Sequence, residues 1–89
     1  MDTVIINKGD KYYFTSSDNV YELNERTVSR LQLKLTLPAK VYFRDCSFSF
    51  IRNLVSSLFE EPVDLNVINI PNTNNYEATL TRIKEIKLR

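Results

Sequence analysis

The chain has 89 residues, with 12 Lys and Arg against 11 Asp and Glu, one Cys, one Gly and no His. Without His the chain lacks Ser-His-Asp and Cys-His nucleophile systems, and one Cys cannot form an internal disulfide or a Cys-rich metal cage. A single Gly is too few for a G-x-G-x-x-G turn or a Walker A loop. The composition therefore predicts a non-enzymatic protein with no cofactor and no metal.

Size and apolar content predict one globular domain that spans residues 1–89. Hydrophobic residues make up 43% of the chain and charged residues 26%, as in ordinary folded domains. The longest uninterrupted apolar runs have three residues, whereas a membrane helix needs about 20. No signal peptide is visible at the start of the sequence. We therefore expect a cytoplasmic protein without a membrane partner, in the host-cell cytoplasm if the protein is viral.

The first 25 residues predict three short strands joined by turns. Residues 3–6 are apolar and β-branched, residues 11–15 are rich in aromatics, and residues 20–23 follow a polar turn. Between the first two strands, residues 7–10 predict a hairpin in which Gly9 takes the left-handed conformation. The beginning of the chain is therefore interpreted as a β-meander.

Residues 27–37 show the clearest alternation in the chain. Four leucines alternate there with polar residues, which predicts a fourth strand with one apolar face. These are Leu31, Leu33, Leu35 and Leu37. Residues 40–45 predict a fifth strand, with Val41 and Phe43 on the core face. A three-residue loop at 38–40 would set Leu37 opposite Val41 and keep all apolar side chains on that face.

The second half of the chain predicts one amphipathic helix and two strands. Apolar residues recur at three- and four-residue spacing over residues 47–60, with Asp45 or Ser47 as the N-cap and Pro62 as the stop. Residues 63–70 are apolar on both faces, which predicts a central strand. Residues 76–88 predict a long final strand with a bulge between Leu80 and Ile83, although residues 79–88 also fit a helical pattern.

These elements predict an α+β domain in the order β-β-β-β-β-α-β-β. The sheet is expected to be mostly antiparallel and to be packed by the one helix at residues 47–60, which covers the apolar face of the Leu-rich strand.

The strongest signal for a partner is the stretch of residues 26–44, which contains five bases and no acid. In the predicted register its polar side chains form one basic sheet face that carries an aromatic, with Lys34 opposite Arg44. The predicted binding residues are Arg30, Lys34, Tyr42 and Arg44. Candidates to extend this surface are Lys40, Arg82, Lys84 and Lys87. A solvated face whose charges keep an edge strand from pairing is the alternative interpretation.

Two smaller groups of residues are also candidates. Cys46 follows a predicted strand near a helix N-terminus, where a thiol pKa can fall, although a small buried hydrophobe is the more ordinary role. Glu60, Glu61 and Asp64 form an acidic group at the end of the helix. That group fits a basic partner or a hard cation, or it is simply solvated.

Residues 41–48, VYFRDCSF, and the later Leu58-Phe59 pair form a recognisable pattern. This stretch resembles the first strand and helix of an RNA-recognition-motif domain, and the resemblance implies that Tyr42 stacks on a nucleic-acid base. Residues 75–82, NYEATLTR, depart from the family because they lack its Gly-Phe-x-Phe strand and retain only Tyr76. The resemblance is therefore confined to residues 41–59.

The leading functional hypothesis is a protein-binding module, such as a small inhibitor, adaptor or assembly subunit. It would act through the basic sheet face or an exposed strand edge, and strand edges also offer a route to homo-oligomers. Nine Asn and the small size resemble phage accessory proteins. The alternative is an RNA or single-stranded DNA binding protein that uses the same basic and aromatic face.

Overall fold

The computed structural model describes residues 3–16 and 18–83, which form one six-stranded mixed sheet and two helices. The strands are β1 (Thr3–Lys8), β2 (Lys11–Ser16), β3 (Asn19–Glu22), β4 (Ala39–Arg44), β5 (Val63–Asn69) and β6 (Tyr76–Arg82). The helices are α1 (Val28–Lys34) and α2 (Phe48–Leu58). The α+β class, the N-terminal meander and the amphipathic helix within residues 47–60 are confirmed.

The sheet order is β3-β2-β1-β4-β6-β5. Strands β1 and β4 pair in parallel, and the other four neighbouring pairs are antiparallel. The last strand along the chain, β6, lies between β4 and β5 in the sheet. Among the described residues β5 is therefore an edge strand. The prediction of a central strand at residues 63–70 is therefore wrong.

The predicted fourth strand, residues 27–37, is wrong, because the chain forms helix α1 there. The turn before α1 is held by the side-chain oxygen of Asn24, which accepts from the Arg26 N–H at 2.8 Å and the Thr27 N–H at 3.2 Å. Leu31 and Leu35, one turn apart, are buried, whereas Leu33 is 83% exposed. Leu33 is thus not a core residue, and the predicted pairing of residues 34 and 37 with β4 does not exist.

Helix α2 has the predicted cap and apolar stripe. The Ser47 hydroxyl accepts from the Phe50 N–H at 3.1 Å, which satisfies one of the donors left open at the first turn. Its buried side chains are Ile51, Leu54, Val55 and Leu58. They pack in one core with side chains of the sheet: Ile5, Phe14, Val41, Phe43, Ala78 and Leu80. Phe50 adds a parallel stack on Tyr12, with ring centroids 3.7 Å apart.

Both helices lie on the same side of the sheet. The side-chain amide of Gln32 in α1 donates to the carbonyl of Leu58 in α2 at 3.3 Å. The Arg30 guanidinium lies 5.2 Å from the ring centre of Tyr21. Tyr21 of β3 is opposite the buried Phe14 of β2, so both rings lie on the core side of the sheet. The sheet is therefore covered on one side by α1 and α2.

The final strand is regular as far as it is described. β6 pairs with β5 in continuous register from Arg82 opposite Val63 to Tyr76 opposite Asn69, so no bulge interrupts it up to Arg82. The strand alternative is thus correct for residues 79–82, whereas Ile83 lies beyond the end of β6. The remaining residues of the predicted strand, 84–88, lie outside the described residues.

Candidate functional site: the open face of the sheet

The side of the sheet opposite α1 and α2 carries no helix among residues 3–16 and 18–83, and we call it the open face. The side chains that point to the open face are identified from the alternation along each strand. In β1, Thr3 and Ile5 are buried toward the helices, so Val4 and Ile6 point to the open face. In β4, Val41 and Phe43 are buried, so Tyr42 and Arg44 point to the same open face.

An apolar and aromatic patch lies at the centre of the open face. Ile6 is opposite Tyr13 of β2, and Val4 is opposite Tyr42 of β4. All four side chains are half-buried. The backbone N–H of Val4 also donates to the Thr15 hydroxyl at 3.3 Å, which ties β1 to β2 beside the patch. We call Val4, Ile6, Tyr13 and Tyr42 the central patch.

Charged side chains of both signs surround the central patch. The ammonium of Lys11 lies 3.9 Å from the Glu22 carboxylate, and that of Lys40 lies 3.8 Å from Glu77. Arg44 is exposed and lies opposite Ile6 in the register. Lys8 and Asp64 also belong to the open face by alternation. The open face thus has four bases and three acids among its described residues, so its net charge is close to neutral.

The four predicted binding residues are divided between the two sides of the sheet. Tyr42 and Arg44 lie on the open face, next to each other along one face of β4. Arg30 and Lys34 lie on α1, on the covered side. The single basic sheet face expected from the sequence is therefore wrong, because it required residues 27–37 to be a strand beside β4.

The four candidate extensions of the predicted basic face have different outcomes. Lys40 lies on the open face as expected. Arg82 is aligned with Val63 and shares the covered side with the buried Ala78 and Leu80. Lys84 and Lys87 lie outside the described residues.

Tyr13 and Ile6 were not recognised from the sequence as part of a surface site. The signal was present in residues 11–15, because alternation around the fully buried Phe14 turns Tyr13 to the opposite face. This alternation alone did not indicate a surface site, because the sequence does not show which strands lie beside β2. Only the pairing of β1 with both β2 and β4 brings Tyr13, Ile6 and Arg44 into one row.

Of the two tyrosines in the resemblance to RNA-recognition motifs, only one lies on the open face. Tyr42 lies on the open face, as the resemblance implies for a base-stacking aromatic. Tyr76, by contrast, lies opposite Phe43 on the covered side. The open-face positions of β6 carry Glu77 and Thr79, so this strand supplies no second aromatic.

Cys46 behaves as a buried apolar side chain. It is 4% exposed, and its Sγ lies 3.4 Å from the carbonyl oxygen of Arg44. Burial, together with the negative charge of Asp45, raises the pKa of the Cys46 thiol to about 11. A thiol that holds its proton at neutral pH is a poor nucleophile.

The described residues contain neither a metal-binding cluster nor a membrane-spanning helix. Between residues 3 and 83, with residue 17 excepted, no cluster of three or more His, Cys, Asp or Glu is placed to hold a metal ion. Glu60, Glu61 and Asp64 thus form no metal cage there. Neither α1 nor α2 is long and apolar enough to cross a membrane.

Comparisons with protein-family models, with curated proteins and with solved structures find no match to this chain. The function is therefore inferred from the surface chemistry of the chain itself.

Proposed function

We propose that this protein is a non-enzymatic protein-binding module, such as a small inhibitor, adaptor or assembly subunit, that binds its partner through the open face. The observation that supports this function is the central patch, an apolar and aromatic surface that no described helix covers. The proposal places the module in the cytoplasm, in keeping with the lone thiol of Cys46.

The central patch has the chemistry of the middle of a protein interface. Tyr13 and Tyr42 offer large, stiff rings with a polar end, and such aromatics are enriched where proteins meet. Val4 and Ile6 lie between them and would lose their remaining contact with water. Burial of apolar area is favourable by about 25 cal/mol per Å², and this gain offsets the entropy lost on association. The surrounding charges would orient the partner and disfavour wrong ones.

The charge balance of the open face favours a protein over a nucleic acid. A phosphate backbone would meet Glu22, Asp64 and Glu77 as well as the bases, and like charges brought together weaken binding. Two of the four bases, Lys11 and Lys40, already lie beside carboxylates. A protein surface with charges of both signs fits this rim better than a uniformly negative chain does.

Affinity purification of tagged variants followed by mass spectrometry tests the function. Wild type should recover a stoichiometric protein partner, and the open-face variants Tyr13→Glu and Arg44→Glu should lose it. Leu33→Glu is the matched control, because Leu33 is exposed on the covered side. Circular dichroism checks that each variant is folded. A partner retained by folded Tyr13→Glu, or no stoichiometric partner of wild type, contradicts the proposal.

A second candidate function is RNA or single-stranded DNA binding. It is favoured by two tyrosine rings and the Arg44 guanidinium on one sheet face, since bases stack on aromatics and phosphates pair with Arg. Fluorescence anisotropy with a labelled oligonucleotide at about 50 mM salt, where phosphate-driven binding is strong, tests it. Binding should weaken steeply with added salt and be lost in Arg44→Glu. No anisotropy change at low salt excludes this function.

A further inference from the structure

The charges of the open face differ between the middle and the sides of the sheet. The three strands in the middle are β2, β1 and β4, with β3 on one side and β6 and β5 on the other. Among the described residues, all four bases of the open face lie on the middle strands and all three acids lie on the outer ones. The bases are Lys8, Lys11, Lys40 and Arg44, and the acids are Glu22, Asp64 and Glu77. We call the open side of β2, β1 and β4 the basic strip.

The basic strip also contains the whole central patch, because the four residues of the patch lie on β1, β2 and β4. Thr15 of β2 fills the one remaining position in the described part of the strip. Asp10 and Asp45 are close in sequence, but both lie in turns beyond the ends of these strands. The strip thus combines apolar and aromatic side chains with positive charge.

Two bases of the strip have no carboxylate partner among the described residues. Lys11 and Lys40 form ion pairs with acids of the outer strands, whereas Lys8 and Arg44 form none. Both Lys8 and Arg44 are exposed. They lie at the same end of the strip, because Arg44 is opposite Ile6 and Lys8 is two residues beyond Ile6 on the same side of β1. One strand spacing and two residues of rise put their Cα atoms roughly 8 Å apart.

The size of the basic strip matches one α-helix. The axes of β2 and β4 are two strand spacings apart, about 10 Å, and a helix with its side chains is about 10–12 Å wide. β1 has six residues and is therefore about 20 Å long, which corresponds to about 13 residues of helix. Helices on both sides of a sheet are a common layered arrangement. A helix laid along β1 would contact the central patch and the bases without lying over the outer strands.

We propose that the open face binds an amphipathic helix of a partner protein, with Asp or Glu beside the apolar stripe of that helix. The helix lies along β1, its apolar stripe covers Val4 and Ile6, and its carboxylates pair with Lys8 and Arg44. Carboxylates at positions i and i+4 of a helix are about 6 Å apart along its axis, within reach of two long basic side chains. Binding of this helix rests on the function proposed for the open face and gives its partner a definite chemistry.

Other occupants fit the strip less well. A single nucleic-acid strand offers bases and phosphates but no aliphatic surface to cover Val4 and Ile6. A second copy of this chain, stacked face to face, would bring two basic strips together, and like charges disfavour such a complex. An acidic amphipathic helix meets the apolar and the charged groups of the strip at once.

Fluorescence anisotropy with synthetic peptides tests the charge of the partner. The probe is a labelled peptide of about 18 residues, long enough to form a helix, with Leu at helical spacing and Glu on both sides of this stripe. The comparison peptide has Lys in place of Glu. The protein should bind the Glu peptide and not the Lys peptide, and added salt should weaken the binding. No binding of the Glu peptide up to about 1 mM, or equal binding of the Lys peptide, overturns the proposal.

Charge reversals on middle and outer strands provide a matched control. Lys8→Glu and Arg44→Glu should each weaken binding of the Glu peptide by about tenfold or more, because each sets a carboxylate against carboxylates. Asp64→Arg makes the opposite change at an exposed residue of β5, outside the strip, and should not weaken binding. Circular dichroism checks that each variant is folded. Unchanged binding by folded Arg44→Glu, or an equal loss in folded Asp64→Arg, overturns the proposal.

Photo-cross-linking separates this proposal from the function on which it rests. With p-benzoylphenylalanine in place of Tyr42, the partner recovered by affinity purification is cross-linked, and mass spectrometry identifies the attached segment. That segment should carry Asp or Glu beside apolar residues at helical spacing. A partner that is lost in Tyr13→Glu but attaches through a segment without acids overturns the acidic helix and leaves the protein-binding function standing. Attachment of an oligonucleotide or of a second copy of this chain also overturns the acidic helix, and the absence of any partner overturns the helix and the function together.

Discussion

Leu31 and Leu33 are two residues apart on α1, yet Leu31 is fully buried against the sheet and Leu33 is 83% exposed. A step of two residues turns a side chain by about 200° around a helix but returns it to the same face of a strand. The contrast between these two leucines therefore distinguishes the helix from the strand that their alternation predicts.

The first prediction follows from this contrast. Leu31→Ala removes a buried side chain and should lower the free energy of unfolding by about 2–5 kcal/mol. Leu33→Ala should change it by less than about 0.5 kcal/mol, because the side chain is already in water. Urea denaturation measures both values. Similar losses in the two variants would support a strand at residues 27–37 and contradict α1.

The turn that leads into α1 gives a second prediction. Asn24→Ala removes the oxygen that accepts from the Arg26 and Thr27 N–H groups. The free energy of unfolding should fall by about 0.5–2 kcal/mol, as for the loss of a helix cap. Asn24→Asp keeps an acceptor at the same place and should cost less. Thermal unfolding followed by circular dichroism compares the two variants, and an equal loss would contradict the role of the Asn24 side-chain oxygen in holding this turn.

The buried thiol gives a third prediction, on the dependence of stability on pH. The pKa of Cys46 is raised from 9.0 to about 11, first by burial and then by the Asp45 charge. The folded protein keeps this proton between those pH values while the unfolded chain loses it, so the free energy of unfolding falls as pH rises.

Urea denaturation at about pH 8 and about pH 11 measures the effect. Wild type should lose about 2 kcal/mol more between these conditions than Cys46→Ala does, since one pKa unit corresponds to about 1.4 kcal/mol. The alanine variant corrects for every other contribution to the pH dependence of stability. Identical losses in the two proteins would show that the thiol is not protected.

The first hairpin gives a fourth prediction. Gly9 has a φ of 66°, and a Cβ added there would meet no atom within 4 Å, so only the backbone conformation opposes a side chain. Gly9→Ala should cost about 1–2 kcal/mol, and Gly9→Asn should cost less because Asn tolerates the left-handed region. Equal losses in urea denaturation would contradict this explanation.

Elements decided by neighbouring residues could be predicted from the sequence. The hairpin at Gly9 needs only a residue that accepts positive φ between two β-prone segments. Helix α2 combines the Ser47 cap, an apolar stripe of helical period and Pro62 after its end. In both cases the local signals agree with one another, so the elements are recognisable before any tertiary contact is known.

Residues 27–37 show where local signals disagree. Their leucines satisfy the period of a strand, but Val28, Leu31 and Leu35 also satisfy the three- and four-residue spacing of a helix. Leu, Gln, Lys and Arg are good helix formers, and the Asn24 turn starts the helix. The choice between helix and strand depends on which side chains the sheet can bury, so the sequence alone did not decide it. The predicted basic face required a strand at residues 27–37 and was therefore wrong as well.

The sequence by itself thus determined the class of fold, the meander, the amphipathic helix α2 and the lack of residues for the common catalytic sites. Only the tertiary structure decided that β1 pairs in parallel with β4, that β6 lies between β4 and β5, and that α1 covers the same side as α2. The physical reason is that strand order and helix placement depend on contacts between distant residues. Those contacts unite Tyr13, Ile6 and Arg44 on the open face and leave β5 at the edge.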